Sequence, residues 1–308
     1  MSSAAAALGR ALLLRRAPSV GPGRAGPGPR PRHPPVPGGP RRRAFAAGGE
    51  GAERRSVDPA EEAKFARIAA EWWEPAGPFA ALHAMNPVRC GFIRTALCGS
   101  LGLDAAAPRP LEGVAVLDLG CGGGLLSEPL GRLGARVLGI DASVRNVEVA
   151  RRHLRRDPDL AGRVEYEAVT AETLLAAGRR FDAVVCSEVI EHVVDPPEFC
   201  RVIGGLTREG GAAVLSTMNR TPASYAAAIV AAEYVLRLVP AGTHDWEKFV
   251  TPEELAMMME DAGFGAMDLL AGMLYNPATG RWKAIEGTAV NYIASFTKGR
   301  GGAEGGGD

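Results

Sequence analysis

Three short stretches of this chain carry residue types and spacings able to do chemistry. In the first, Asp118-x-Gly120-x-Gly122-Gly123-Gly124, four glycines follow an acid within seven residues. Glycine lets a backbone bend into otherwise strained conformations and approach a ligand closely. In the second, Asp141 stands 21 residues beyond Gly120. An acid at that distance, on the end of the next strand, can accept the ribose hydroxyls of an adenosine-bearing cofactor. In the third, Ser187-Glu188-Val-Ile-Glu191-His192 brings two carboxylates and an imidazole together. Such a set can hold a divalent ion: oxygen-dominated ligation suits magnesium or manganese, and the imidazole leaves zinc open. His192 or His244 would equally serve as a general base, which would make a metal unnecessary. Each stretch also has a plainer reading. Asp141 would cap the helix after it, although Ser143 is placed to do so, and Glu191-His192 would be polar residues opening a helix. Thr170-Ala-Glu172 would reach an adenine or merely start a helix.

These residues need strands and helices to aim them, and the chain supplies an alternating series. Val114 to Leu119 reads as a buried parallel strand, giving way after the glycines to a helical pattern from Leu125. Val137–Ile140 is a second strand ending at Asp141, followed by a helix over Val144–Leu154. Val164–Ala168, Phe181–Cys186 and Gly211–Ser216 are further strands, the last after a turn at Arg208–Gly211. Asp195-Pro-Pro-Glu198 caps the helix between the fourth and fifth. Thr251-Pro-Glu-Glu254 caps one more, ended by Gly263, before closing strands over Phe264–Tyr275 and Val290–Thr297. Ahead of the series, Asp58-Pro59 opens a helix with an apolar face of Phe65, Ile68, Ala69 and Trp72, and Asn86-Pro87 opens a second. The order predicts an α/β fold: a doubly wound, mostly parallel, seven-stranded sheet with helices on both faces and an N-terminal helical extension. Ligands of such sheets bind at the carboxyl ends of the strands, where Gly120, Asp141, Glu172, Ser187–His192 and Asn219 all fall.

Charge divides the chain. Residues 1–49 hold nine Arg and no Asp or Glu, leaving 26 Lys and Arg against 35 Asp and Glu in the rest. A body that acidic argues against nucleic acid as a partner. Residues 1–55 resemble a mitochondrial transit peptide and linker, with Arg43-Ala-Phe45 resembling a processing site; the domain is expected over 56–298 and a disordered Gly-rich tail over 299–308. The five cysteines form no CxxC pair and read as reduced thiols. Residues 223–239 are apolar nearly all round, broken only by Glu233 and Arg237, which suits a helix buried in protein or in lipid.

Taken together, Trp72-Trp73, Asn86-Pro-x-Arg89, Leu117-Asp-x-Gly-Cys-Gly-Gly-Gly124, Glu188-x-x-Glu-His192, Ser216-Thr-x-Asn-Arg220, Ala232-Glu-Tyr234, Val239-Pro-x-Gly-Thr-His-Asp245, Tyr275-Asn-Pro277 and Val290-Asn-Tyr292 carry a resemblance. The chain resembles the mitochondrial branch of the ubiquinone-biosynthesis O-methyltransferases, within the class I S-adenosylmethionine-dependent methyltransferases. The resemblance implies a Rossmann-like methyltransferase sheet in which Arg89, Gly120, Asp141 and Ser187 contact S-adenosylmethionine, Arg89 facing its carboxylate. It implies Glu188, Glu191 and His192 as ligands of a divalent metal, magnesium in the first instance. It also implies methyl transfer to a catechol-type hydroxyl of polyprenyl dihydroxybenzoate and demethylubiquinol. By the same resemblance, the protein touches the matrix face of the mitochondrial inner membrane peripherally and joins a multi-protein biosynthetic complex. A polyprenyl substrate resides in a bilayer, which gives the apolar residues 223–239 a use in contacting the membrane or walling a prenyl channel, beside the plainer reading of a helix buried under the active site. Two other readings use the same cradle. An NAD-dependent oxidoreductase would want glycine where Leu125 stands, and a non-catalytic scaffold would have no need of an intact Asp141 and Glu188-x-x-Glu-His192.

Overall fold

Side-chain alternation along the short β-branched runs sorts the core into two faces. The computed structural model describes residues 56–226, 245–276 and 279–300. In it β1 (Ala115–Leu119), β2 (Arg136–Ile140), β3 (Val164–Glu167), β4 (Phe181–Ser187) and β5 (Thr207–Met218) pair in parallel. β6 (Phe264–Asn276), β7 (Arg281–Ile285) and β8 (Asn291–Lys298) complete an eight-stranded sheet in the order β3-β2-β1-β4-β5-β8-β6-β7. β8 runs antiparallel between β5 and β6. On one face Val116, Val137, Val164, Val185 and Val214 pack with Phe92, Leu97, Leu130 and Val147. On the other, Leu117, Leu138, Val184 and Leu215 pack with Phe199, Ile203, Leu255 and Met259.

The covering helices are α1 (Pro59–Arg67), α2 (Ala80–Leu101), α3 (Ser127–Arg132), α4 (Val144–Leu154), α5 (Ala171–Ala176), α6 (Pro196–Leu206) and α7 (Pro252–Asp261). Their starts follow capping chemistry. Asp58, Thr170 and Asp195 each accept a backbone N–H of the first turn, and Thr251 with Glu254 forms a full capping box. α4 matches its predicted span.

Four expectations need correction. The sheet has eight strands rather than seven, because β7 adds an edge. Its Trp282 and Ala284 alternate with exposed Arg281 and Lys283, a pattern too short to separate from a loop. β5 begins at Thr207, so Arg208–Gly211 continues the strand through an irregular register opposite Phe181 instead of turning. α2 begins at Ala80, with Pro87 inside it. A proline there removes one donor, yet seven residues of this helix, among them Phe92, Ile93 and Leu97, are buried, and that burial outweighs the local loss. The helix after the glycines starts at Ser127, not Leu125.

The five cysteines are unpaired, four of them buried. No helix among the described residues is long and apolar enough to cross a membrane. The transit-like residues 1–55, His244, residues 227–239 of the apolar run and most of the tail lie outside the described residues.

Candidate active site

Where β1 meets β2 on one side and β4 on the other, the sheet reverses its winding, and a crevice opens beyond the strand ends. A cavity of about 1060 Å³ occupies it, the upper end of the ~300–1,000 Å³ range of single-ligand sites. Gly120, Asp141, Ser187, Glu188, Glu191 and His192 all line this cavity. Arg89 does not line it; only 3% exposed, it sits behind the wall.

The glycine loop is shaped by the chain's own side chains as much as by any ligand. Gly120, Gly122 and Gly124 take φ of 75°, 52° and 87°, conformations that disfavour other residues. A Cβ at Gly122 or Gly123 would collide with the Trp72 ring, at Gly120 with Val189, and at Gly124 with the Tyr166 hydroxyl. Asp118 is not in the cavity. It is buried, accepts the Ser127 hydroxyl and so ties β1 to α3, burial pushing its carboxyl up to about 6.

Asp141 organises the loop's other side. Its Oδ2 accepts the Gly122 N–H at 3.0 Å, and its Oδ1 accepts the Ser143 N–H at 2.8 Å and Asn146 Nδ2 at 3.1 Å. Burial raises its pKa, against the pull of these three donors. A carboxylate has about four lone-pair sites, so one remains for a ligand hydroxyl. Ser143 makes no side-chain cap, so Asp141 also serves the helix start.

At the end of β4, Glu188 takes φ 56°, the one positive value among described non-glycine residues. Its Oε1 accepts the Ser216 hydroxyl at 2.7 Å. Glu191 is 4% exposed and its Oε2 has no hydrogen-bond partner. Burial and the neighbouring Glu188 charge both push its carboxyl upward. His192 Nδ1 lies 3.0 Å from Glu61 Oε2 on α1. Burial works against a charged imidazole here, but the Glu61 hydrogen bond and the Glu191 and Glu61 charges prevail and hold its pKa above the ordinary value. The same hydrogen bond brings Glu61 down to about 2. No three His, Cys, Asp or Glu donors converge as a ready-made metal cluster among the described residues. All three expected ligands line the cavity: Glu191 keeps a partnerless oxygen, Glu188 holds the Ser216 hydroxyl, and His192 is paired to Glu61.

Sequence reasoning missed the strap that closes this crevice. Residues 56–79 lie across it, fixed by Ser56 N–H to Glu172 Oε1 at 2.8 Å, by Trp72 Nε1 to Asn146 Oδ1 at 2.9 Å and by Trp73 Nε1 to the Gly123 carbonyl at 2.9 Å. Trp72 stacks on Phe79, and Trp73 on His153. Glu172 Oε1 is therefore occupied in anchoring the strap, its buried Oε2 having no partner, and Thr170 caps α5. The available signal was a tryptophan pair in a chain with only four tryptophans. Trp73→Ala removes one hydrogen bond and one stack, together about 1–3 kcal/mol. The expected result is amide exchange in residues 56–79 faster by about 5- to 150-fold, with exchange in β1 and β4 unchanged.

The glycine loop and Asp141 meet at the switch point of a doubly wound sheet, and a family model described as a methyltransferase domain matches residues 93–268, which makes this a methyltransferase domain. A mitochondrial ubiquinone biosynthesis O-methyltransferase from Arabidopsis thaliana is 51% identical over 79% of this chain and 75% of its own length. Enzymes of the same description from Methylobacterium sp. (strain 4-46) and Cereibacter sphaeroides (strain KD131) are 51% and 47% identical, over 77% and 79% of this chain and 94% and 97% of theirs. The chain belongs to the ubiquinone biosynthesis O-methyltransferase family. Membership removes the NAD-dependent oxidoreductase reading.

Proposed function

We propose that the chain transfers the methyl group of S-adenosylmethionine to a catechol-type hydroxyl of polyprenylated ubiquinone precursors, in mitochondria. What carries this reading, within the family, is one cavity lined at once by the glycine loop, Asp141 and the Glu188–Glu191 pair. Gly120 and Asp141 hold the adenosine half, Asp141 through its remaining lone-pair site. Ser187 meets the methionine half, and Arg89, donating to Ser187 Oγ at 2.9 Å, supplies positive charge to its carboxylate from behind the wall.

The methyl donor is activated by its own sulfonium charge, so the acceptor is where the chain must act. A phenol with pKa near ~10 costs about 4 kcal/mol to ionise at pH 7. The donor set of Glu188, Glu191 and His192 suits a divalent ion such as magnesium, and the partnerless Glu191 oxygen supports it. When bound, such an ion lowers the pKa of the catechol and orients its attacking oxygen. His192 would join as a ligand on exchanging its Glu61 contact, or else act as base with Glu61 holding its orientation. Peripheral contact with the matrix face of the inner membrane and membership of a biosynthetic complex belong to the same proposal. Support for the membrane contact comes from the hydrophobicity of the polyprenyl acceptor and the apolar run 223–239.

The test is methyl transfer to a catechol-bearing quinol precursor, with EDTA and with added magnesium. Activity is expected to vanish on chelation and return with the ion. Transfer indifferent to rigorous chelation would refute the metal, and no transfer to any such acceptor would refute the substrate class.

A further inference from the structure

Behind the cavity wall a chain of hydroxyls joins Arg89 to Glu188. Arg89 Nη1 donates to Ser187 Oγ at 2.9 Å, Ser187 Oγ lies 2.7 Å from Ser216 Oγ, and Ser216 Oγ donates to Glu188 Oε1 at 2.7 Å. Each serine has one proton to give. Ser216 spends its proton on Glu188, so Ser187 must donate to Ser216 and accept from Arg89. All three bonds then point the same way, from guanidinium to carboxylate, with an ion at each end to strengthen them. Sheet register makes this possible, since Ser187 on β4 and Ser216 on β5 are direct partners.

Ser216 also grips Glu188 a second time. Its carbonyl accepts the Glu188 N–H at 2.9 Å. Glu188 is the residue at φ 56°, a left-handed conformation that persists only where surrounding contacts hold it. Ser216 itself is only 1% exposed and does not line the cavity.

We infer that Ser216 is a positioning residue: its carbonyl holds the Glu188 backbone in the left-handed conformation, its hydroxyl aims the Glu188 carboxylate into the acceptor side of the cavity, and through Ser187 it ties that aim to Arg89 on the cofactor side. This rests on the proposed role of Glu188 at the acceptor. The cofactor touches Ser187 and not Ser216, so loss of the Ser216 hydroxyl should act on turnover and not on cofactor binding.

The experiment compares Ser216→Ala and Ser216→Thr with the wild-type chain in three measurements: kcat for methyl transfer to a catechol quinol precursor, calorimetric Kd for S-adenosylhomocysteine, and a crystal structure of the Ala variant. For Ser216→Ala, kcat is expected to fall about 10- to 100-fold, the range for removing a residue that orients a ligand, with Kd within about twofold of wild type. Ser216→Thr keeps the hydroxyl and should recover most of the rate. In the crystal structure, the Glu188 carboxylate should swing away, while the retained Ser216 carbonyl still holds the Glu188 backbone. Unchanged kcat, equal loss of kcat and cofactor affinity, or a Glu188 unmoved in the Ala variant each overturns the clamp. If the wild-type chain methylates no catechol, the acceptor reading fails by itself, and the position of Glu188 in the variant structure still decides the clamp.

Discussion

Asp141→Ala is expected to raise the dissociation constant for S-adenosylmethionine by one to two orders of magnitude and to lower Tm as well. A hydrogen bond to an ionised group is worth about 1.5–3 kcal/mol, which accounts for the affinity lost with the proposed ribose contact. The stability loss has a separate source. The carboxylate accepts from Gly122 N, Ser143 N and Asn146 Nδ2, and each donor left buried without a partner costs about 1–3 kcal/mol. Asp141→Asn separates the two effects. Its amide oxygen can still take Ser143 and Asn146, but its NH2 then faces the Gly122 N–H, donor against donor. Tm should fall less in the Asn variant, while cofactor binding weakens almost as much. Calorimetric titration and thermal unfolding of both variants measure this. An Ala variant with unaltered affinity would leave Asp141 as a helix-start acceptor and nothing more.

Glu191→Gln should raise stability while abolishing most activity. A carboxyl that is buried, partnerless at Oε2 and beside Glu188 is disfavoured in its charged form by folding. Unfolded, it titrates near ~4.3; folded, it titrates higher. The destabilisation therefore appears as pH rises above the unfolded value and is complete once pH passes the folded one. Gln carries no such charge, so its Tm gain should be larger at pH 8 than at pH 4. Activity moves the other way. If Glu191 holds an ion in the proposed way, a metal-stabilised nucleophile is worth several kcal/mol, so kcat should drop at least about 100-fold at ~1.4 kcal/mol per tenfold. Stability–activity exchange of this kind is common at sites kept for function. A Gln variant that is more stable and fully active would show Glu191 to be a burial defect without a role.

Much of this was legible because the controlling physics is local. Asp195 and Thr251 announce their helices through capping bonds that span three residues. Strand periodicity separates Val116 from Leu117 as surely in the string as in the sheet. β7 escaped because its signal is two inward residues long, and the start of α2 escaped because tertiary burial overrode the proline. The glycine loop was recognised, but its immediate reason differs. The neighbours that exclude a Cβ are Trp72, Val189 and Tyr166, which lie far from the loop in sequence.

By itself, then, the sequence determined the class of fold, the family, and the set of acids, glycines and imidazole at the strand ends. Each depends on spacing along a single segment or on strings specific to the family. Tertiary structure alone decided which of these groups are free. It engaged three of Asp141's four acceptor sites, set His192 against Glu61, committed Glu172 to Ser56, and placed Arg89 behind the wall, joined to Glu188 through Ser187 and Ser216. Hydrogen-bond partners from segments up to 131 residues apart are chosen by packing and register, and no local pattern in the chain records that choice.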